Sequence, residues 1–142
     1  MSRRTKVYPT HVPVGASIAT TSTTDTYFQA GKSGTLLAVL FSSLAALATS
    51  DTNYITWSMT NLGQAGAGTT EMLATSDLNT TKATGGVAIT ANANKALTIH
   101  GTAANLAVVE GDRIRIRATA TGTLAGAVTV PSYSVLIEAS GA

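Results

Sequence analysis

The chain has 142 residues, no cysteine and a formal net charge of +2 at pH 7. This length fits one domain with a core of its own, and the lack of cysteine excludes a thiol nucleophile, a thiolate metal site and a disulfide framework. Only 11% of the residues are charged, against roughly 25% in an average soluble domain. We therefore expect uncharged polar residues to cover part of the surface and other protein chains to cover the rest.

The first 26 residues have the character of an extended arm. Pro9 and Pro13 remove backbone donors, and a threonine-rich stretch follows them at 20–26. Two interpretations remain open for this segment. It lies across a neighbouring subunit, or it forms an irregular first strand that pairs with the body. We place the arm at 1–26 and the body at 27–142.

The charges and apolar residues of this arm are candidate contacts. Arg3 and Arg4 supply two of the nine positive charges, although a solvated terminus is the simpler explanation for them. The remaining candidates are Tyr8, Val12 and Val14. The rest of the chain is nearly neutral, whereas binding of nucleic acid requires a dense cluster of Lys and Arg. A nucleic-acid partner is therefore not expected.

No segment has the length needed to cross a membrane. The most hydrophobic window, residues 35–47, is shorter than the roughly 18–20 residues that span a bilayer. No apolar run of the length found in a secretory signal follows the first arginines. We interpret the window as a core element whose first half is a buried strand.

From Tyr27 onward the pattern is that of short strands separated by Gly, Asn, Asp and Ser. The segment 54–60 alternates most clearly, with Ile55, Trp57 and Met59 on one face. Spacings near ten residues predict an all-β sandwich or barrel. The other expected strands are 27–30, 69–74, 86–90, 95–100, 103–109, 113–118, 127–130 and 133–138.

Candidate catalytic and metal-binding groups are sparse. His11 and His100 have no carboxylate at ligand-like spacing, and a metal site needs several convergent ligands. Glu110 and Asp112 form the only close acidic pair, but they flank a glycine in a turn, where Asp typically caps backbone donors. The segment 31–34 lacks the upstream glycine of a phosphate loop, and we interpret it as a hairpin turn. We expect no enzyme activity, no cofactor and no small-molecule substrate.

Arg113, Arg115 and Arg117 are the most informative residues. Alternation places all three on one face of a strand, with Ile114 and Ile116 facing inward. Like charges about 7 Å apart repel one another unless anions intervene. Three explanations compete, namely solvent exposure with screening, ion pairs with acidic residues of this or a neighbouring subunit, and binding of a polyanion. We favour an interface role as the hypothesis to test.

Three aromatic residues, Tyr54, Trp57 and Tyr133, could form a sugar-binding shelf. Trp57, however, shares its face with Ile55 and Met59, which favours a position in the core.

The C-terminal part carries a family resemblance. Residues 109–122, VEGDRIRIRATATG, place a Gly-Asp turn before a strand and a Thr-Gly turn after it, and apolar strand segments follow at 128–130 and 135–137. This arrangement resembles small jelly-roll proteins of tailed-bacteriophage particles, especially head-decoration (cement) proteins. The resemblance implies a jelly-roll-like antiparallel β-sandwich. It also implies a homotrimer that binds the major capsid protein on the outside of the virion.

Other functions remain open at this point. A tail or head fibre module that recognises host-surface glycans, or a small jelly-roll shell protein, would fit the same pattern. A glycan-binding module should expose aromatic residues in loops.

Overall fold

A computed structural model of the chain describes residues 7–12 and 15–140, with the side chains of 8–12 left out. The described residues contain no α-helix, and the prediction of an all-β fold is confirmed. Two short 3-10 turns lie at Asp77–Asn79 and Ala103–Leu106. The strands are β1 Val7–Val12, β2 Thr23–Gln29, β3 Gly34–Ser42, β4 Tyr54–Asn61, β5 Thr70–Glu71, β6 Lys95–Leu97, β7 Ala107–Val108, β8 Arg113–Thr121 and β9 Ser132–Ala139.

The strands form two antiparallel sheets, and the prediction of a β-sandwich is confirmed. One sheet has the order β1-β9-β3-β6, with β7 also paired to β3, and the other has the order β2-β8-β4-β5. The pairs β1·β9, β2·β8, β3·β6 and β4·β5 are nested in sequence, as in one long hairpin. Rolling that hairpin up brings β9 to β3 and β8 to β4. Four nested strand pairs connected in this way have the strand order of a jelly roll, with β7 as an additional short strand on β3.

The core lies between the sheets and is built by alternation along the strands. On β4, Ile55, Trp57 and Met59 are buried as predicted, and Tyr54, Thr56 and Ser58 are half-buried on the outer side. Phe41 of β3 packs against Trp57 with ring centroids 5.0 Å apart and against Tyr133 at 5.3 Å. Because these aromatic side chains come from both sheets, their contact fixes how the sheets pack.

Three expected strands and one expected hairpin differ from the structure. The segments 86–90 and 127–130 form only isolated bridges, at Ile89 and Val128. The segment 103–109 begins as the 3-10 turn Ala103–Leu106, and only Ala107–Val108 is a strand. The turn at 31–34 is no hairpin, because β2 and β3 belong to different sheets. The turn residues are as predicted, but local turn chemistry does not determine which sheet the next strand joins.

The N-terminal segment is joined to the body where it is described. Val7–Val12 pairs with β9, with Val7 opposite Glu138. Ile18 is only 1% exposed and belongs to the core, and the expected boundary after residue 26 falls within β2. Of the two interpretations of the arm, the structure has the strand that pairs with the body. Its pairing with β9 leaves the described part of the segment inside the fold.

In the described part of the chain, no helix has both the length and the apolar character to span a bilayer.

Candidate binding surfaces

The three arginines lie on the outer face of the four-stranded sheet. Strand β8 runs between β2 and β4, and Ile114 and Ile116 are buried against the core. Arg113, Arg115 and Arg117 therefore project away from the core, as predicted. We call this surface, together with the outward residues of β2 that lie beside it, the arginine face.

Arg117 has an acidic partner in its own chain. Its Nε donates to Oδ1 of Asp25 at 2.7 Å, and its second guanidinium nitrogen donates to Oδ2 at 2.9 Å. The two-point hydrogen bond from Arg117 lowers the pKa of the Asp25 carboxyl, and the same bond raises the pKa of Arg117. Of the three explanations for the arginines, an ion pair within the chain therefore holds at Arg117.

Arg113 and Arg115 are not paired in this way. The guanidinium carbon of Arg113 lies 4.4 Å from the centroid of the Tyr27 ring, which is a cation–π contact. Arg115 has only a long hydrogen bond of 3.4 Å to Oγ1 of Thr60, whose hydroxyl in turn donates to Glu71 at 2.8 Å. Nε of Arg115 is buried and has no partner among the described residues. The arginine face therefore keeps two positive charges without a directly bonded carboxylate in the described structure.

The outer face of the other sheet carries little charge and several apolar side chains among serine and threonine residues. Within the described strands β3, β6 and β9, Glu138 is the only charged residue that faces outward. Leu37 occupies a bulge in β3 and is 40% exposed, and Leu44 and Val130 at the end of the same sheet are 57% and 48% exposed. We call this surface the leucine face, and it consists of Leu37, Ala38, Leu40, Leu44, Ala96, Val130 and Leu136.

The apolar run at residues 35–47 indicates the leucine face in the sequence, although we interpreted it as a core element. Residues 35–47 are apolar at nearly every position, which we attributed to a core element whose first half is a buried strand. In the structure, Leu36, Val39 and Phe41 face the core, whereas Leu37 and Leu40 lie on the outer side. An apolar run on a sheet with one uncovered face therefore predicts a contact surface as well as a core strand.

A polar cavity of about 330 Å³ lies beside β4, on the same side of the sandwich as the arginine face. Asp77 and Lys82 form an ion pair of 3.1 Å at its wall. Its other polar lining residues are Thr56, Ser58, Glu71, Thr75, Ser76 and Thr80.

The remaining candidates for chemistry have structural partners. Oδ2 of Asp112 accepts from the backbone N–H of Val109 at 2.8 Å and from Asn61 at 2.9 Å, so this carboxylate caps the turn as predicted. Nδ1 of His100 accepts from the backbone of Thr102. Among the described residues, no group of His, Asp and Glu is arranged to hold a metal ion. Trp57 and Tyr133 are buried, so they do not form a sugar-binding shelf with Tyr54.

Several predicted contact residues lie outside the described residues. These are Arg3, Arg4 and Val14, together with the side chains of Tyr8 and Val12. The backbones of Tyr8 and Val12 pair with Ile137 and Tyr133 of β9.

Comparison with known proteins adds no relative. No family model, no curated protein and no solved structure matches the chain.

Proposed function

We propose that this protein is a capsid decoration protein, which binds the outside of a bacteriophage head and stabilises it. The observation that carries the proposal is the leucine face. Leu37 stands 40% exposed on the outer side of β3, and Leu44 and Val130, next to the adjoining ends of β3 and β9, are 57% and 48% exposed, in a region with almost no charge. Soluble proteins cover such regions with other chains, because an exposed apolar patch is costly in water.

The positions of the ionisable side chains support a structural role. Most of the ionisable side chains described above cap turns, pair with each other or lie on an open sheet face. Three of them, Glu71, Asp77 and Lys82, line the cavity beside β4, where Asp77 and Lys82 pair with each other. A decoration protein must bind many equivalent positions of a shell, for which shape and apolar burial suffice. The strand order adds support, since jelly rolls are common in viral shells.

Co-sedimentation with heads of the virus that encodes the chain tests this proposal. Leu44→Lys places a charge on the leucine face, and Leu78→Lys is the matched control, since Leu78 is 49% exposed on the 3-10 turn next to β4. Burial of a leucine side chain contributes about 1.5–3 kcal/mol. We therefore expect Leu44→Lys to weaken head binding by about 10- to 100-fold, while Leu78→Lys binds as the wild type does. Equal binding by both variants would refute docking through the leucine face.

A short truncation tests the predicted role of the N-terminal arginines. Deletion of residues 1–26 would remove β1, Ile18 and half of β2, and loss of binding would then report unfolding. Deletion of residues 1–6 removes Arg3 and Arg4 and leaves every described strand. We expect this variant to unfold at the wild-type temperature and to bind heads more weakly. Unchanged binding would exclude these arginines from the contact.

A second candidate function is a fibre module that recognises glycans. The cavity beside β4 favours it, because hydroxyl, carboxylate and ammonium groups of the kind that bind sugars line it. Glycan-array binding that Ser58→Phe abolishes, together with absence of head binding, would establish this function in place of decoration.

A further inference from the structure

Among the edge strands of the two sheets, β2 is the one that lacks the usual protection against pairing with another chain. Open edges of sheets tend to pair with other chains unless they are short, bulged or interrupted by proline or lysine. Strands β5 and β6 have two and three residues, and β1 contains Pro9. Strand β2 has seven residues, Thr23–Gln29, without proline or lysine. Its register with β8 continues without a bulge from Thr23 opposite Thr119 to Gln29 opposite Arg113.

Hydrogen bonds at the two ends of β2 show which backbone groups face the open edge. The backbone of Ala30 bonds to Asp112 and Gly111, and the carbonyl of Ser22 accepts from Ala120. Even-numbered residues therefore bond toward β8, and the backbone groups of the odd-numbered residues between them point the other way. No described residue outside β8 makes a backbone-to-backbone hydrogen bond with β2. The outward groups belong to Thr23, Asp25, Tyr27 and Gln29.

The only charge on this strand is already neutralised. Asp25 would ordinarily discourage pairing, because two copies of an edge strand bring their like charges together. Its carboxylate is instead held by Arg117 at 2.7 Å and 2.9 Å. The edge of β2 is therefore long, regular and nearly neutral.

We propose that β2 pairs with β2 of a second copy of this chain, antiparallel about a two-fold axis at Thr26. The four-stranded sheet β2-β8-β4-β5 of one copy then continues into the same sheet of the other copy, and together they form one eight-stranded sheet. In this register all seven residues of β2 are paired, and the pairs formed by odd-numbered residues exchange hydrogen bonds. The proposal rests on the open edge of β2, which has no backbone partner among the described residues although Ala19 N–H bonds to the side chain of Thr24. It does not depend on the decoration function.

Charge repulsion and the number of paired residues favour this register over the two neighbouring registers. A shift that centres the axis on Asp25 sets that carboxylate directly opposite its own copy, which is repulsive. A shift that centres it on Tyr27 leaves Thr23 and Thr24 without a partner in β2. With the axis at Thr26, Asp25 lies opposite the partner's Tyr27. The ion pair between Asp25 and Arg117 of one copy then lies beside the cation–π contact between Tyr27 and Arg113 of the other copy. The arginine faces of the two copies are continuous.

A disulfide tests the register, because the chain has no cysteine of its own. The two copies of Thr26 form a pair without hydrogen bonds, with Cα atoms about 4.5 Å apart, which is within the range that a disulfide bridges. Thr24 is the matched control, since it is the same residue type on the same face of β2. Its two copies would lie four residues apart along the register, about 14 Å.

We expect Thr26→Cys to form a covalent dimer on mild oxidation and Thr24→Cys to remain uncrosslinked. Equal crosslinking of both variants, or crosslinking of Thr24→Cys alone, would overturn the register.

The mass in solution tests the pairing itself. The wild type should have twice the 14.4 kDa of one chain in analytical ultracentrifugation. Tyr27→Pro removes a backbone donor from the open edge and should give a folded monomer, as judged by near-UV circular dichroism. Tyr27→Thr keeps that donor and should remain a dimer.

A wild-type monomer would overturn the inference. A trimer would overturn it too, because the three-fold cluster that the phage resemblance implies needs a different contact. Either result would leave head binding through the leucine face intact as a separate question.

Discussion

The hydroxyl of Tyr133 accepts a hydrogen bond from Nε1 of Trp57 at 3.3 Å, and this bond joins β9 of one sheet to β4 of the other. Both side chains are buried. Burial raises the pKa of Tyr133 to about 12, because the interior disfavours a phenolate.

This burial predicts a loss of stability in alkali. The pKa of Tyr133 is higher in the folded chain than in the unfolded chain, where it is about 10. The buried neutral phenol therefore contributes fully to the free energy of unfolding below pH 10. As the pH rises toward 12, the free energy of unfolding falls by roughly 2–3 kcal/mol. Tyr133→Phe should lose this part of the pH dependence, and at neutral pH it should cost about 1 kcal/mol because the Trp57 N–H loses its acceptor. Urea unfolding across this pH range is the measurement, and an unchanged alkaline slope in Tyr133→Phe would contradict the assignment.

The ion pair of Asp25 and Arg117 should contribute modestly at neutral pH. The Arg117 and Asp25 side chains are 36% and 22% exposed, so solvent screens their attraction, and we expect a coupling of about 0.5–1 kcal/mol. The pKa of Asp25 is lowered in the folded state. The ion pair therefore contributes to the free energy of unfolding at pH values above the pKa of Asp25 in the unfolded chain. This contribution is lost as the pH falls through the lower pKa of the folded chain.

A double-mutant cycle of Asp25→Asn and Arg117→Gln measures this coupling. The coupling should be present at neutral pH and should decline as the pH falls through the lowered pKa of the Asp25 carboxyl. A coupling that does not change as the pH is lowered would show that the carboxylate charge is not its source.

Gly34 and Gly31 provide a matched pair at the start of β3. A Cβ on Gly34 would overlap the backbone carbonyl of Glu138 in the neighbouring strand, whereas a Cβ on Gly31 meets nothing within 4 Å. A backbone atom cannot rotate away as a side chain can. We therefore expect Gly34→Ala to destabilise the fold by about 2 kcal/mol or more, and Gly31→Ala to be within about 0.5 kcal/mol of the wild type. Thermal unfolding of the two variants decides the question, and equal melting temperatures would contradict the register of β3 with β9.

Alternation accounts for what the sequence could predict. The inward faces of β4 and β8 follow from residue types two positions apart, so the burial of Trp57 and the outward projection of the arginines were accessible without a structure. The partner of Arg117 was not accessible, because Asp25 is 92 positions away in sequence. Only the pairing of β2 with β8 brings the two residues together.

The leucine face shows a second limit of sequence patterns. An apolar run such as residues 35–47 is equally compatible with burial on both faces and with one face left for another chain. The topology decides between them, since nothing described in this chain covers the outer side of β3. The same topology shows that Ile18 belongs to the core, although a polar, threonine-rich stretch follows it in sequence.

Electron cryomicroscopy of virions of the virus that encodes the chain tests the central claim most directly. The proposal predicts density for this jelly roll on the outer surface of the head, with the leucine face against the shell. Density for the jelly roll in a tail fibre, or a head surface that lacks it, would contradict the proposed function.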